Sequence, residues 1–286
     1  MADTESSNAQ AAELERAAAD RLSRVNGTQE LLAAVLALLL PDGSRRAVRA
    51  FEIETESTSG AEALREQVNQ LSEAARLPWF ETLVSRMRTQ PLAARQALLE
   101  ATRRVMSARG TVRPIDRLHW FAMRQRLGGA TGTGARLAAS AELSRLPQAD
   151  VSAIAAYSAF LSRVVPVDAA ARQKVSADDS TANPAPGIAW YDAVMLPWQA
   201  HATIPPCVPP DTDGLVQALQ ELQALPWMQR PMLVRGWVIA ALLHSRYRRL
   251  DNTAADALRL TCALLDSPLP PELARHYGVT AQEVSR

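Results

Sequence analysis

The stretch Thr28-Gln-Glu-Leu-Leu-Ala-Ala-Val-Leu-Ala-Leu-Leu-Leu-Pro-Asp-Gly43 decides the fold class. Leu31, Leu32, Val35, Leu36, Leu38, Leu39 and Leu40 recur at three- and four-residue spacing and cover most of a helical circumference, so this helix belongs deep in a core. Thr28 offers a hydroxyl for the N-cap, and Pro41-Asp42-Gly43 forces a turn at the other end. The apolar run from Leu31 to Leu40 is about half the roughly 20 residues that a membrane helix needs. The core it enters is therefore a protein core.

Working outward, the same periodicity fills the chain. Met1 to Asn8 is polar and expected to be disordered, and Ala9 to Val25 predicts a helix with Leu14, Ala18 and Leu22 on one stripe, closed by Asn26-Gly27. Helices are expected from Ser44 to Thr55 and from Ala61 to Ala74. Pro78, Pro91 and Pro114 each suit the first turn of a further helix, where a missing N–H costs nothing. Gly110 and Gly128-Gly129 close two of these. Gly128 to Gly134 is expected as a joint, Pro147 to Val165 as a helix, and Pro166 to Gly187, rich in Asp, Ser, Ala and Pro, as a mobile loop. An aromatic segment from Trp190-Tyr191 to Trp198 is interrupted by Pro197, and Ile204 to Pro210 cannot be helical throughout. Regular helices resume over Leu215 to Leu225, Gln229 to His244 and Asn252 to Asp266, and Leu269-Pro270-Pro271 leads into a short terminal pair. No alternating run rich in Val, Ile and Thr occurs. The expectation is an all-α, multi-helix array: a disordered 1–8, a first helical half over 9–128, an irregular middle over 129–210 and a second helical half over 211–286.

An ungapped shift of 135 residues brings Pro91 onto Pro226, Arg95 onto Arg230, Leu98 onto Leu233 and Asp116 onto Asp251. Each copy predicts a Pro-started helix, a basic turn and a second helix with an acidic residue in its first turn, a helical hairpin made twice.

The composition bounds the function. With 286 residues and a formal net charge of +1, the chain has no general field attracting phosphate backbones, so any nucleic-acid role would be local. Cys207 and Cys262 are too few for a disulfide framework or a thiolate zinc site, and the N-terminus does not resemble a signal peptide, so a cytoplasmic setting is expected. His119, His201, His244 and His276 are dispersed, with no pair at the i, i+4 spacing of two zinc ligands on one helical face. There is neither a Gly-x-Ser-x-Gly elbow nor the Gly-Lys pair of a phosphate-binding loop. Gly128-Gly-Ala-Thr-Gly-Thr-Gly134 follows a helix and not a strand, which makes it a linker. The expectation is no catalytic residue, no metal and no cofactor.

Among the tryptophans, Trp79, Trp120, Trp227 and Trp237 lie on helical faces and are expected as core anchors, whereas Trp190 and Trp198 flank a broken helix between irregular stretches. With Tyr191 they form the expected contact patch for a partner chain. Glu52, Glu54 and Glu56 are a solvated acidic face. Arg103 and Arg104, like Arg246, Arg248 and Arg249, sit near helix ends where the dipole favours cations. Leu273 to Arg286 resembles the core of a helix-turn-helix, with Gly278 at the turn and Thr280 and Glu283 as a capping box. In that alternative, a DNA-associated regulator, Arg275, Gln282 and Arg286 are the candidate nucleic-acid contacts.

Three further stretches carry a family resemblance: Leu31 to Leu40 with Val48-Arg49; Arg76-Leu77-Pro78 through Pro91, Leu98-Leu99 and Ala108-Arg109-Gly110 to Asp116; and Asp256 to Pro271, ending Asp-Ser-Pro-Leu-Pro-Pro. Together they resemble the cytoplasmic C-terminal region of bacterial HtpX-like membrane zinc metallopeptidases, a region related to TerB-like helical domains. The peptidase core of that family, with its membrane helices and zinc motif, is absent from these residues. In TerB-like repeats an Asp precedes the Gly aligned with Gly110; Arg109 stands there instead, and a guanidinium in place of a carboxylate disfavours a divalent cation. The resemblance implies a non-catalytic, cytoplasmic interaction or regulatory module. Its partner would be another protein, whether a membrane metallopeptidase that holds it at the inner membrane face, a second copy of itself or another cytosolic protein, without direct membrane insertion and without nucleic acid. An enzyme of unrecognised type is the remaining alternative.

Overall fold

The computed structural model describes residues 2–41, 43–128, 142–165 and 186–278, with backbone alone for 2–8 and 186. Among the described residues every regular element is helical. The chain divides into two compact units, Met1–Ala130 and Thr131–Arg286.

The first unit contains α1 (Ala2–Ser23), α2 (Thr28–Leu39), α3 (Arg45–Glu54), α4 (Ala61–Asn69), α5 (Glu73–Met87), α6 (Leu92–Ser107) and α7 (Pro114–Leu127). Its centre is α2, in which every residue from Leu31 to Leu39 is buried; α4, α5 and α6 pack around it. A helix apolar on all sides must be enclosed on all sides, and three neighbours achieve that. The N-cap of α2 is Gly27 and not Thr28, whose hydroxyl instead donates to Gln90 Oε1 at 2.6 Å. α1 begins at Ala2, so the backbone of 2–8 is helical where disorder was expected. Its C-terminal carbonyls are held by one guanidinium: Arg86 Nη1 donates to Leu22 O, Ser23 O and Val25 O at 2.9–3.1 Å.

Pro78 does not open a helix. It lies inside α5, which starts five residues earlier at Glu73, and so close to the N-terminus its ring removes only one early backbone bond. Pro91 and Pro114 stand where expected, as the residue before α6 and the first residue of α7. Gly110 has φ +91°, a left-handed conformation that only Gly adopts without strain.

The second unit contains α8 (Gln148–Leu161), α9 (Pro186–Met195), α10 (Thr212–Ala224), α11 (Gln229–His244), α12 (Asn252–Leu264) and the single turn α13 (Pro271–Ala274). α8 packs along α10, α9 lies against both α8 and α11, and α12 and α13 pack on α11. The expected boundary at 210 therefore has no counterpart, since α8 and α10 share one core. Tyr157 on α8 hydrogen-bonds Thr261 on α12 at 3.0 Å, and Trp237 on α11 donates its indole N–H to Ser158 on α8 at 3.0 Å. α9 meets the end of α8 so closely that a Cβ on Gly187 would lie 2.2 Å from Ser162 O. Glycine is required there.

Both units contain the hairpin expected from the 135-residue shift. Pro91 O accepts from Ala94 N at 3.0 Å and Pro226 O from Gln229 N at 2.9 Å, the same turn in each copy. Arg95 Nη1 donates to the carbonyl of Leu127, the last residue of α7, and Arg230 Nη1 donates to the carbonyl of Leu265, the C-cap of α12. The copies slip only in the turn. Asp116 is the third residue of α7 and accepts from Arg113 N, whereas Asp251 is the N-cap of α12 and accepts from Ala254 N. Both carboxylates satisfy N–H groups that a helix start leaves open, from different positions.

Candidate functional site

The tryptophans divide differently from the sequence expectation. Trp190, Tyr191 and Trp198, the expected partner patch, lie in the core of the second unit, Trp190 with no exposed surface and Trp198 with 2%. Trp190 donates to Trp237 O at 3.3 Å and Trp198 to Leu143 O at 2.7 Å. The Tyr191 hydroxyl donates to Pro205 O at 2.6 Å, and burial, with Cys207 and Asp192 nearby, pushes its pKa up to about 12. Pro197 sits within a tight 3₁₀ turn, Leu196–Trp198, that buries the Trp198 ring and leaves Leu196 exposed. The break read as surface irregularity is thus the device that seats an aromatic in the core. With both indole N–H groups and the phenol satisfied internally, these three residues hold the unit together and are not anchors for another chain.

Of the candidate nucleic-acid residues, Arg275 alone lies among the described residues. Arg275 is exposed in a 3₁₀ turn, Arg275–Tyr277, ending at Gly278 with φ +66°. Gln282 and Arg286 lie outside the described residues. The neighbours of Arg275 are tied to α12: His276 Nε2 to Asn252 Oδ1 at 2.9 Å and the Tyr277 hydroxyl to Asp256 Oδ1 at 2.8 Å, with the Arg259 guanidinium over the Tyr277 ring.

Among the described residues no group of three or more His, Cys, Asp or Glu is placed to hold a metal, and no helix is long and apolar enough to cross a membrane. His119 packs edge-on to Phe80 with Nδ1 at 3.0 Å from Ile115 O, and burial lowers its pKa to about 4. Asp116, the acidic residue of the TerB-like comparison, is engaged by Arg113 Nη2 at 2.8 Å and Arg109 Nη1 at 3.4 Å.

The surface feature that sequence reading missed is the outer face of α11. Trp237, Leu233, Val234, Val238 and Ala241 fill its inner side. On the other side Met228, Met232, Ile239 and Leu243 are all exposed large apolar residues, following one another along one face with Gly236 between them. Trp227, expected in the core, lies in the turn before α11 and is 73% exposed; Tyr247 lies in the turn after it and is 80% exposed. Tyr247 and Arg248 have φ of 55° and 52°. Left-handed backbone at two consecutive non-glycine residues costs on the order of 1 kcal/mol each. The Arg246 guanidinium stands over the Tyr247 ring, 5.0 Å from its centroid. Within the face, Arg235 pairs with Glu272 at 3.0 Å; the backbone N–H of Glu272, and then Arg235, hold that carboxyl below its usual range. The legible signal was the apolar character of α11 on all sides, which asks for burial on all sides. The neighbours α9, α12 and α13 cover only part of it.

Comparison with family models finds no match, and comparisons with curated proteins and with solved structures find none either.

Proposed function

We propose that this chain is a non-catalytic protein-interaction module and that its docking surface is the outer face of α11. The observation that carries the reading is a row of exposed Met232, Ile239 and Leu243 on α11, with exposed Trp227 and Met228 in the turn before the helix and exposed Tyr247 in the turn after it. Tryptophan, tyrosine and methionine are enriched in interface cores, and exposed apolar residues grouped into one patch, unlike those scattered singly, mark binding surfaces. The resemblance to the region appended to HtpX-like peptidases supports the same role, a helical module that works by being bound. Its regulatory, cytoplasmic setting, with a membrane peptidase as the partner, is the specific form of this proposal.

The test is affinity capture of the tagged chain from its native lysate, with solubilised membranes included, run in parallel with the Met232→Asp, Ile239→Asp double variant. Both substitutions are at exposed positions and leave the core intact. A stoichiometric protein retained by the wild type and lost by the variant is the expected result. Identical capture by both chains would remove α11 as the site.

A further inference from the structure

Resting on that reading, we propose that the occupant of the α11 face is an amphipathic helix of a partner protein whose polar flanks are acidic. The first argument is charge. From Pro226 to Leu250 the sequence contains Arg230, Arg235, Arg246, Arg248, Arg249 and His244, and no Asp or Glu. Arg230 is buried, while the other four arginines and His244 are exposed. The carboxylate that does approach the face, Glu272, comes from α13 and is paired with Arg235. A partner bringing carboxylates gains attraction along the face and at its C-terminal end, where Arg246, Arg248 and Arg249 cluster. A second copy would bring the same cations.

The second argument is shape. Positions 228, 232, 236, 239 and 243 form one ridge of a helix, and at 1.5 Å per residue it is about 22 Å long. A straight apolar ridge of that length matches the i, i+3, i+4, i+7 anchors of a second helix packed alongside. Gly236 interrupts the ridge, and a Cβ built there meets nothing within 4 Å. Its φ is not in the left-handed region, so neither backbone geometry nor internal packing requires glycine; mid-helix it costs about 1 kcal/mol relative to Ala. What glycine provides is a notch that admits one large side chain of the partner. A fluid bilayer gains nothing from such a notch, whereas a partner helix with one large side chain in register does.

The third argument is the other copy of the hairpin. At the same 135-residue shift, Met228, Met232, Arg235, Ile239 and Leu243 correspond to Ala93, Ala97, Glu100, Arg104 and Ala108 on and just beyond α6. The scaffold is satisfied by small and charged residues at these positions, so the large apolar ones serve something besides the fold.

The probe is a synthetic helical peptide of about 18 residues, long enough to span the ridge, with Leu at i, i+4, i+7 and i+11 and Glu at the flanking positions. Its twin carries Lys in place of Glu. Binding to the full chain is read by fluorescence anisotropy. The expected results are saturable binding of the Glu peptide, affinity lower by at least about tenfold for the Lys twin, and loss of binding in the Met232→Asp, Ile239→Asp variant. Gly236→Leu enlarges the apolar surface but fills the notch, and is expected to weaken the Glu peptide by at least about tenfold. Absence of Glu-peptide binding, equal affinity for the twins, or tighter binding by Gly236→Leu would each overturn the acidic helix as occupant. So would a concentration-dependent dimer in native mass spectrometry that Met232→Asp abolishes, or Met232-dependent sedimentation with vesicles of phosphatidylserine and phosphatidylcholine. If lysate capture depends on the face and the peptide does not bind, the docking surface stands and the acidic helix falls; if neither depends on it, both fall.

Discussion

α6 and α11 are the same helix used twice, and they differ in what their outer sides present. Each follows a proline turn, carries an arginine that reaches the end of its hairpin partner, and buries a leucine at the matching position, Leu98 and Leu233. Outside, α6 is a solvated helix. Its Arg104 makes a two-pronged ion pair with Glu54 of α3, at 2.5 and 2.8 Å, and lies 3.8 Å from Glu100, while Ala93 and Ala97 expose little more than backbone and methyl groups. α11 replaces that surface with Met, Ile and Leu. Where the internal frame is common and the exteriors diverge, the exterior carries the specialisation.

The comparison can be broken at the buried position the two helices share. Thr102 on α6 and Trp237 on α11 are related by the same shift, and neither has exposed surface. Trp237→Ala removes a large ring packed 5.5 Å from Tyr157 and leaves Ser158 without its indole donor, so it should cost about 3–5 kcal/mol in urea unfolding. Thr102→Ala should cost about 1 kcal/mol, because its hydroxyl has only a 3.9 Å contact with the Met123 sulfur. Equal losses would show that the two positions carry equivalent shares of their cores in spite of the difference in side-chain size.

Acid sharpens the contrast. His119, on the second helix of the first hairpin, has its pKa lowered by burial from 6.5 to about 4. The unfolded chain therefore binds the proton more readily, and the stability that neutral His119 contributes is present above about pH 6.5 and lost as pH falls toward 4. The loss should be about 3 kcal/mol between pH 7 and pH 4. His119→Leu should flatten that slope whatever it does to stability at pH 7, and an unchanged slope would place the acid sensitivity elsewhere. His276, in the second unit, is lowered in the same direction by partial burial against the opposing influence of Asp251, and His276→Gln is the control.

The smallest expected effect differs in sign between the copies. Gly236→Ala should stabilise by about 0.5–1 kcal/mol, since it removes backbone freedom from the unfolded chain and meets nothing in the folded one. Ala101→Gly, at the matching buried position on α6, should destabilise by about 1 kcal/mol or somewhat more. If Gly236→Ala destabilises, the notch has an internal purpose and the shape argument for a partner helix loses its support.

The frame of this molecule is legible in sequence because it is written in periodicity and punctuation. The run from Leu31 to Leu39 asks for enclosure and receives it, and Pro91, Pro114 and Gly110 stand where helix physics places them. Pro78 misleads because a proline near a helix start is tolerated a turn further in than its preferred site. The surface is harder to read, since an apolar residue in a helix declares a face without declaring which neighbour covers it. Trp198 lies beside a proline that marks a break, and that break turns the ring inward; Trp227 lies beside a proline that starts a regular helix, and that start leaves it outside. Local sequence is nearly the same in the two cases, and tertiary packing assigns them opposite fates.

The close approach of Gly187 to the Ser162 carbonyl bears on how this chain tolerates change in length. Ser162 and Gly187, distant in sequence, meet in space, so any segment that joins them begins and ends at nearly one point. Extending a joining segment whose ends already meet adds only the logarithmic entropy of a longer loop, about 0.6 kcal/mol for each doubling. A cut there would leave α8 and α9 still packed on each other. A reporter or a cleavage site inserted between Val165 and Pro186 is therefore expected to leave the packing of α8 on α9 in place, which urea unfolding of the inserted chain would check.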